Sequence, residues 1–309
     1  MRKYILFLLA ALALVACRPR GGKGVQPSPR AFPRVEVPVM VDGAQERLEY
    51  TVLHFWDAFV KVDGPTDSLT VAGVKKEEVE GQMGVFATLL QEVPLAVGQR
   101  AMLSLYKCLE KAPGTLEPLA EMARKYFFDP NSPVRSEALY LPLVKALSES
   151  ALVKDDAKPG YAWDARLCAL NLPGTTAADF RFIDTSGRSR TLHSVKAEYI
   201  LLVFGNPDCT ACRELVESMS SVPEIVALEA SGRLKVVDIF IDREIDVWKQ
   251  RMASYPKNWI NGYDPEFIIR EDLIYDVRAV PSLYLLDRNK TVILKDAPEE
   301  VALNVLAGL

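Results

Sequence analysis

An α/β domain preceded by an all-α helical bundle is the architecture this sequence predicts, and three observations predict it. From about Ala44 to Leu170, apolar residues recur at intervals of three and four, the period of helices that bury one face. Beyond Leu172 that period gives way to continuous apolar runs at 199–204 and 235–241, as in strands covered on both faces. Between the two runs stands Cys209-Thr210-Ala211-Cys212, after the turn Gly205-Asn206-Pro207-Asp208 and before a helical pattern beginning at Arg213. Strand, tight loop, two cysteines and helix put both sulfurs at a helix N-terminus, where unpaired N–H groups stabilise a thiolate.

The first residues concern export. Arg2 and Lys3 precede the apolar run 4–16, which is short for a membrane span and has the charge order of a secretory signal. Leu14-Val15-Ala16-Cys17 resembles the bacterial lipoprotein box, which implies cleavage before Cys17 and a lipid on its sulfur. The alternative is an ordinary signal peptide cut nearby, and on either reading the chain works outside the cytoplasm, where disulfides persist. Residues 1–16 are thus expected as signal and 17–40, rich in Pro and Gly, as a flexible tether.

Segments 76–91, 95–111, 115–128 and 136–148 follow as helices, punctuated by Pro94, Pro113, Pro130 and Pro133, within a helical domain over 41–170. Leu48, Val52, Phe55, Trp56 and Phe59 form an amphipathic stripe, and Lys158-Pro159-Gly160 breaks the pattern near the domain boundary. Nothing in this region carries catalytic chemistry, and His54 between Leu53 and Phe55 reads as a core or edge histidine.

Over 171–309 the order is different. Residues 180–184 and 189–192 flank Ser186-Gly187 as a hairpin, and the strand 199–204 leads into the cysteine-bearing helix, interrupted near Pro223. A right-handed crossover through the helix then makes the strand 235–241 parallel to 199–204. A helix over 245–254, a hairpin of 282–286 with 291–294, and a helix over 298–309 complete the chain.

The chain carries 37 basic and 41 acidic residues, and removal of residues 1–16 leaves 35 against 41, a net charge of −6. Such a surface, with no basic aromatic stripe, argues against nucleic acid as a partner. A structural zinc site would need two further ligands at close spacing, and His54, His193, Cys108 and Cys168 offer no second pair. No metal or other cofactor is therefore expected. Cys108 and Cys168 read as buried small hydrophobes, with a disulfide between them as the alternative.

The order βαβ, helix, hairpin, helix, with CxxC after the first buried strand, resembles the thioredoxin fold, nearest to its extracytoplasmic, peroxiredoxin-related branch. Pro173-Gly174 through Phe180, the Gly187 hairpin and Leu192-His193-Ser194-Val195-Lys196 match that branch's entry pattern. The whole chain also resembles Bacteroidota lipoproteins in which a helical domain of unknown function precedes this module, on segments 126–133 and 259–264. The resemblance implies Cys209 as nucleophile and Cys212 as resolving cysteine. It implies a cis proline at Pro281, preceded by Val280, shaping the substrate groove.

The sequence departs from the family at several places. The buried acid that thioredoxins carry six residues before the first cysteine is replaced by Val203, and the tryptophan before the motif by Asp208. Only Glu214 or Asp208, acting through water, is left to take a proton from Cys212, and Asp208 opposes thiolate formation at Cys209. Asn206 stands where a peroxiredoxin has threonine, which argues against peroxidase chemistry. The resulting expectation is a lipid-anchored, periplasm-facing thiol–disulfide oxidoreductase whose partners are protein thiols or disulfides and an electron donor or acceptor protein. The alternative is a non-catalytic envelope scaffold with a structural CxxC disulfide.

Overall fold

The computed structural model describes residues 28–309. The expected signal over 1–16, Cys17 and the beginning of the expected tether lie outside the described residues. The later part of that tether is packed. Arg30 Nε donates to the Ala72 carbonyl at 2.8 Å and Nη2 to that of Phe59 at 2.7 Å, and the Phe32 ring stacks on Phe59 at 5.2 Å. Burial of Phe32 among Phe55, Trp56 and Phe59 anchors this segment to the helices that follow, which a proline count did not reveal.

Those helices begin with α1 (Ala44–Leu53), a two-residue hairpin β1 (Thr70–Val71) and β2 (Val74–Lys75), then α2 (Lys76–Gln91) and α3 (Leu95–Lys111). Next come α4 (Leu116–Phe127), α5 (Glu137–Glu149) and α6 (Lys158–Cys168). The stripe expected to continue α1 through Phe59 leaves the helix at Leu53, and Phe55, Trp56 and Phe59 fill the same core from turns. Pro159 does not end a helix but opens one: in the first turn of α6 its missing N–H removes nothing. Pro142 lies inside α5 and takes away the donor that would serve the Ala138 carbonyl. Gln99 Nε2 supplies that donor from α3, at 3.1 Å.

The second half contributes β3 (Arg181–Asp184), β4 (Ser189–Thr191), β5 (Tyr199–Gly205), α7 (Thr210–Ser221), α8 (Pro223–Ala230) and β6 (Leu234–Phe240). It ends with α9 (Ile245–Arg251), β7 (Ile260–Tyr263), α10 (Ile268–Glu271), β8 (Ser282–Asp287), β9 (Val292–Leu294) and α11 (Glu299–Ala307). One mixed sheet runs in the order β4-β3-β7-β6-β5-β8-β9, with β5 parallel to β6 and β6 to β7, and the other pairs antiparallel. The strand β7 is absent from the sequence reading. It is short, and Gly262 sits within it where a Cβ would meet Phe182 Cδ2 at 2.6 Å.

Alternation along β5 makes two cores. Ile200, Leu202 and Phe204 pack with Phe180, Tyr275 and Tyr284 on one face, and Leu201 and Val203 meet α7, α8 and α11 on the other. Each fully buried side chain of this size contributes roughly 1.5–3 kcal/mol, so β5 is the sheet's principal anchor. The helical half has a third core of its own, which also takes in Leu167 and Cys168 from the end of α6. Trp163, on the same helix, is 46% exposed. The halves meet where Lys295 Nζ donates to the carbonyls of Leu167 and Cys168, at 3.0 and 2.9 Å, and pairs with Glu137 at 2.6 Å. A fragment beginning at Asn171 keeps both sheet-face cores but loses the ties of Lys295 to Glu137, Leu167 and Cys168. It is expected to unfold cooperatively in circular dichroism at a reduced midpoint; a fragment without a cooperative transition makes the two halves one folding unit.

Candidate functional site

The site is built where β5 ends. Gly205 closes the strand, the turn at 206–208 reverses the chain, and Cys209 takes the N-cap of α7 with extended backbone (φ −77°, ψ 127°). Its sulfur accepts the Cys212 N–H at 3.4 Å, so a thiol stands where serine or aspartate usually caps a helix. Cys209 is half-buried, whereas Cys212, one turn on, is 3% exposed and accepts the Asn206 N–H at 3.5 Å. Both are free thiols. Thr210 and Ala211, between them, are exposed.

Across the groove, Cys209 Sγ donates to the Val280 carbonyl at 3.4 Å. The Val280–Pro281 peptide is cis, and both residues are partly exposed beside the sulfur. The sequence-assigned residues Cys209, Cys212, Val280 and Pro281 are thus brought together, although about seventy positions separate motif from proline. Cys17 lies outside the described residues.

Two expectations about charge change. Asp208 does not stand alone beside Cys209, because Arg251 at the end of α9 pairs with it at 3.0 Å. Its opposition to a thiolate is therefore offset by a nearby cation. Nor is Cys212 without a buried acid. Asp238 on β6 lies directly opposite Val203 in the parallel register, and alternation puts it with Val236 on the face covered by α7. It is 3% exposed, and burial pushes its carboxyl up to about 7. Burial raises the Cys212 thiol well above its ordinary value; the Asn206 N–H partly offsets this, and the neighbouring Cys209 and Asp238 add to it. The acid missing from β5 is supplied by the adjacent strand, and Gly205 keeps room for it: a Cβ there would meet Asp238 Oδ1 at 2.5 Å. Its signal in the sequence is a lone carboxylate inside Val236-Val237-Asp238-Ile239-Phe240. Glu214 is exposed on the outer side of α7.

A crystal structure of a thioredoxin-like protein from Bacteroides caccae is 32% identical, with the match covering 90% of this chain and 98% of that one at a TM-score of 0.80. The chain belongs to the thioredoxin-like proteins. Its neighbours in fold include thioredoxin-like thiol–disulfide oxidoreductases of Bacteroidetes. The C-terminal domain of an uncharacterized protein from Bacteroides fragilis is 44% identical, covering 44% of this chain and 98% of that one, with a TM-score of 0.43. A domain of a possible thiol-disulfide isomerase from Cytophaga hutchinsonii is 27% identical, covering 45% of this chain and 94% of that one, at a TM-score of 0.37. The family model described as a domain of unknown function (DUF5106) matches residues 16–163. No curated protein matches the sequence.

Outside the thioredoxin-like half the remaining candidates are structural. His54 Nδ1 pairs with Asp57 at 2.7 Å on a half-exposed edge. The alternative Cys108–Cys168 disulfide is not formed: both are free and buried, and Cys108 Sγ donates to Asp57 Oδ1 at 3.5 Å. Burial pushes the Cys108 thiol up to about 12. No group of three or more His, Cys, Asp or Glu able to hold a metal occurs among the described residues.

Asp238 carries a pH signature. Its folded value of about 7 lies above the ordinary 3.8, so the folded state holds its proton more tightly than the unfolded chain. The stabilisation this brings is complete below 3.8 and is lost as pH rises to about 7. Asp238→Asn is expected to be more stable than the parent at pH 8 by up to a few kcal/mol, with the gain vanishing near pH 4. Urea unfolding of both proteins at the two pH values checks this, and an equal difference at both would remove Asp238 as the titrating group.

Proposed function

We propose that this protein is a thiol–disulfide oxidoreductase working outside the cytoplasm, with protein disulfides or dithiols as substrates. The observation that carries the reading is the asymmetry of the two sulfurs: one reachable at a helix N-terminus, the other sealed beneath it beside a buried carboxylate. A single structural disulfide requires neither difference.

The thiolate of Cys209 attacks one sulfur of a substrate disulfide in line, forming a mixed disulfide and releasing the other sulfur as a thiolate. Cys212 then loses its proton, which the buried Asp238 carboxyl can take up when ionised, and attacks the Cys209 sulfur. The Cys209–Cys212 disulfide forms, the substrate leaves with two thiols, and two electrons have passed to it. Run backwards, the same steps oxidise a dithiol. The open backbone edge at Val280 and Pro281 offers main-chain hydrogen bonds to an extended segment of the substrate beside Cys209. Thr210 and Ala211, the residues between the sulfurs, set the potential of the pair together with Asp208 and its partner Arg251.

Anchoring through a lipid on Cys17 completes the proposal and is supported by the sequence at the processing site. No helix among the described residues is long and apolar enough to cross a membrane. Intact mass of protein extracted from native membranes is expected to show a chain beginning at Cys17 with a diacylglycerol adduct; an unmodified soluble form would contradict anchoring.

Trapping tests the chemistry. Cys212→Ser removes the resolving attack, so mixed disulfides to partner proteins should accumulate through Cys209 and disappear on reduction. Cys209→Ser should accumulate none. Trapping by the Cys209 variant alone reverses the roles, and trapping by neither favours the scaffold.

A further inference from the structure

The loop that carries Val280 and Pro281 is held at both ends by the helical half of the chain. Two residues before Val280, the Arg278 guanidinium lies 3.8 Å from the centroid of the Phe128 ring, donates to the Phe128 carbonyl and pairs with Glu137. Phe128 follows α4 and Glu137 opens α5. On its own side Arg278 Nε is 2.9 Å from Asp276 Oδ2. One residue after Pro281, Ser282 Oγ donates to Asp296 Oδ1 at 2.7 Å. Asp296 is in turn gripped by Arg135, whose Nε reaches its carbonyl at 2.9 Å and Oδ2 at 3.2 Å, while Nη2 donates to the Ala297 carbonyl at 3.0 Å.

These ties are enclosed. Glu137, Asp276 and Ser282 are each 3% exposed or less, and Asp296 is 8% exposed. Charges this deep are tolerated only when every partner is in position, because a stranded member carries the full cost of desolvation. The cluster therefore admits one arrangement of the loop relative to α5, and that arrangement brings the Val280 carbonyl to 3.4 Å from the Cys209 sulfur. No residue of the helical half bonds to either cysteine of the motif through any contact in the site described above. It acts through segment 276–282.

We infer that the N-terminal helical region is a positioning element of the redox site, in which Glu137 and Arg135 fix the substrate-binding edge at Val280 and Pro281 through Arg278 and the Asp296–Ser282 pair. This rests on the oxidoreductase reading for its chemistry and not for its geometry. It gives the helical region a part in the reaction: it sets how a protein substrate is held against Cys209, without touching the reacting sulfurs. A small disulfide, which needs only the sulfur, is indifferent to the brace, whereas a polypeptide that must lie along the edge is not.

The test compares the full-length protein with Glu137→Gln, which keeps the side-chain shape and removes the charge. In single turnovers of the reduced protein, insulin is the polypeptide disulfide and oxidised glutathione the small one. The half-saturating insulin concentration is expected to rise about tenfold or more, while the rate with glutathione disulfide stays within about twofold, because misplacing a binding edge penalises only the substrate that uses it. Hydrogen exchange of the backbone amides in 276–283 is expected to quicken in the variant, whatever the substrate. Arg135→Gln, which loosens the other tie, should shift both readouts in the same direction and carries the test if Glu137→Gln does not fold. Unchanged exchange and unchanged insulin saturation overturn the brace, as does a parallel fall with both disulfides. A wild-type protein that reacts with neither disulfide sinks the oxidoreductase reading, and the exchange measurement then decides the brace by itself.

Discussion

Glu137 is a carboxylate almost wholly removed from water, and the joining of the two halves depends on what surrounds it. It has Lys295 at 2.6 Å, itself 8% exposed, and the Arg278 guanidinium against its other side. An isolated ion at that depth is several kcal/mol out of balance, and only cations from the sheet restore it. Its place at the start of α5 helps, since the unpaired N–H groups of a first turn favour an anion. The consequence is geometric. Apolar surfaces slide over one another at little cost, but a buried network of this kind is satisfied in one register, so α5 and the β8–β9 hairpin meet in one way.

Burial also shapes the cysteine site, which lies at the same end of β8 as this network. Asp238 lies on the face of the sheet roofed by α7, the helix that carries Cys212; burial raises both groups, and Asp238 adds to the shift at Cys212. Two groups so buried prefer to hold protons while the dithiol is intact. Only in its ionised form is Asp238 a buried acceptor for the proton that leaves Cys212. On the proposed chemistry, reactivity is divided between an accessible sulfur that meets substrate and a sealed one that answers after the mixed disulfide has formed.

Much of this was legible in the sequence because it depends on local pattern. The 199–204 and 235–241 runs, the helix periods at 76–91 and 95–111 and the cysteine pair all signal through neighbours along the chain, and they match the architecture closely. What was hidden depends on partners far away in sequence. Asp238 looks like a misplaced acid until β6 is laid beside β5, and only then does it occupy the space next to Val203. β7 is four residues with a glycine, unreadable without the strands on either side. Pro159 reads as a breaker in the sequence because proline at the first turn of a helix and proline after its last turn look alike in isolation. The packing of Arg30 and Phe32 depends on an aromatic pocket built by later residues, and composition alone cannot report it.

The turn before Cys209 shows how these distant partners bear on chemistry. Asp208 would repel a developing thiolate, yet Arg251 reaches it from α9. Asn206 is fixed by Asp242 beyond β6, its Nδ2 donating to Oδ2 at 2.8 Å, and Asp242 is held in turn by Arg270 of α10 at 2.8 Å. Exposed pairs such as these contribute little to stability. Their effect is to orient: Asn206 presents its N–H to the Cys212 sulfur and its Oδ1 to the Asp208 N–H, at 3.5 and 2.9 Å. The loop thus answers to α9 and α10 on one side of the motif, while Val280 and Pro281 answer to α5 on the other. Cys209 sits between two supports that belong to different parts of the chain, and its surroundings are set by tertiary structure far more than by the four residues of the motif.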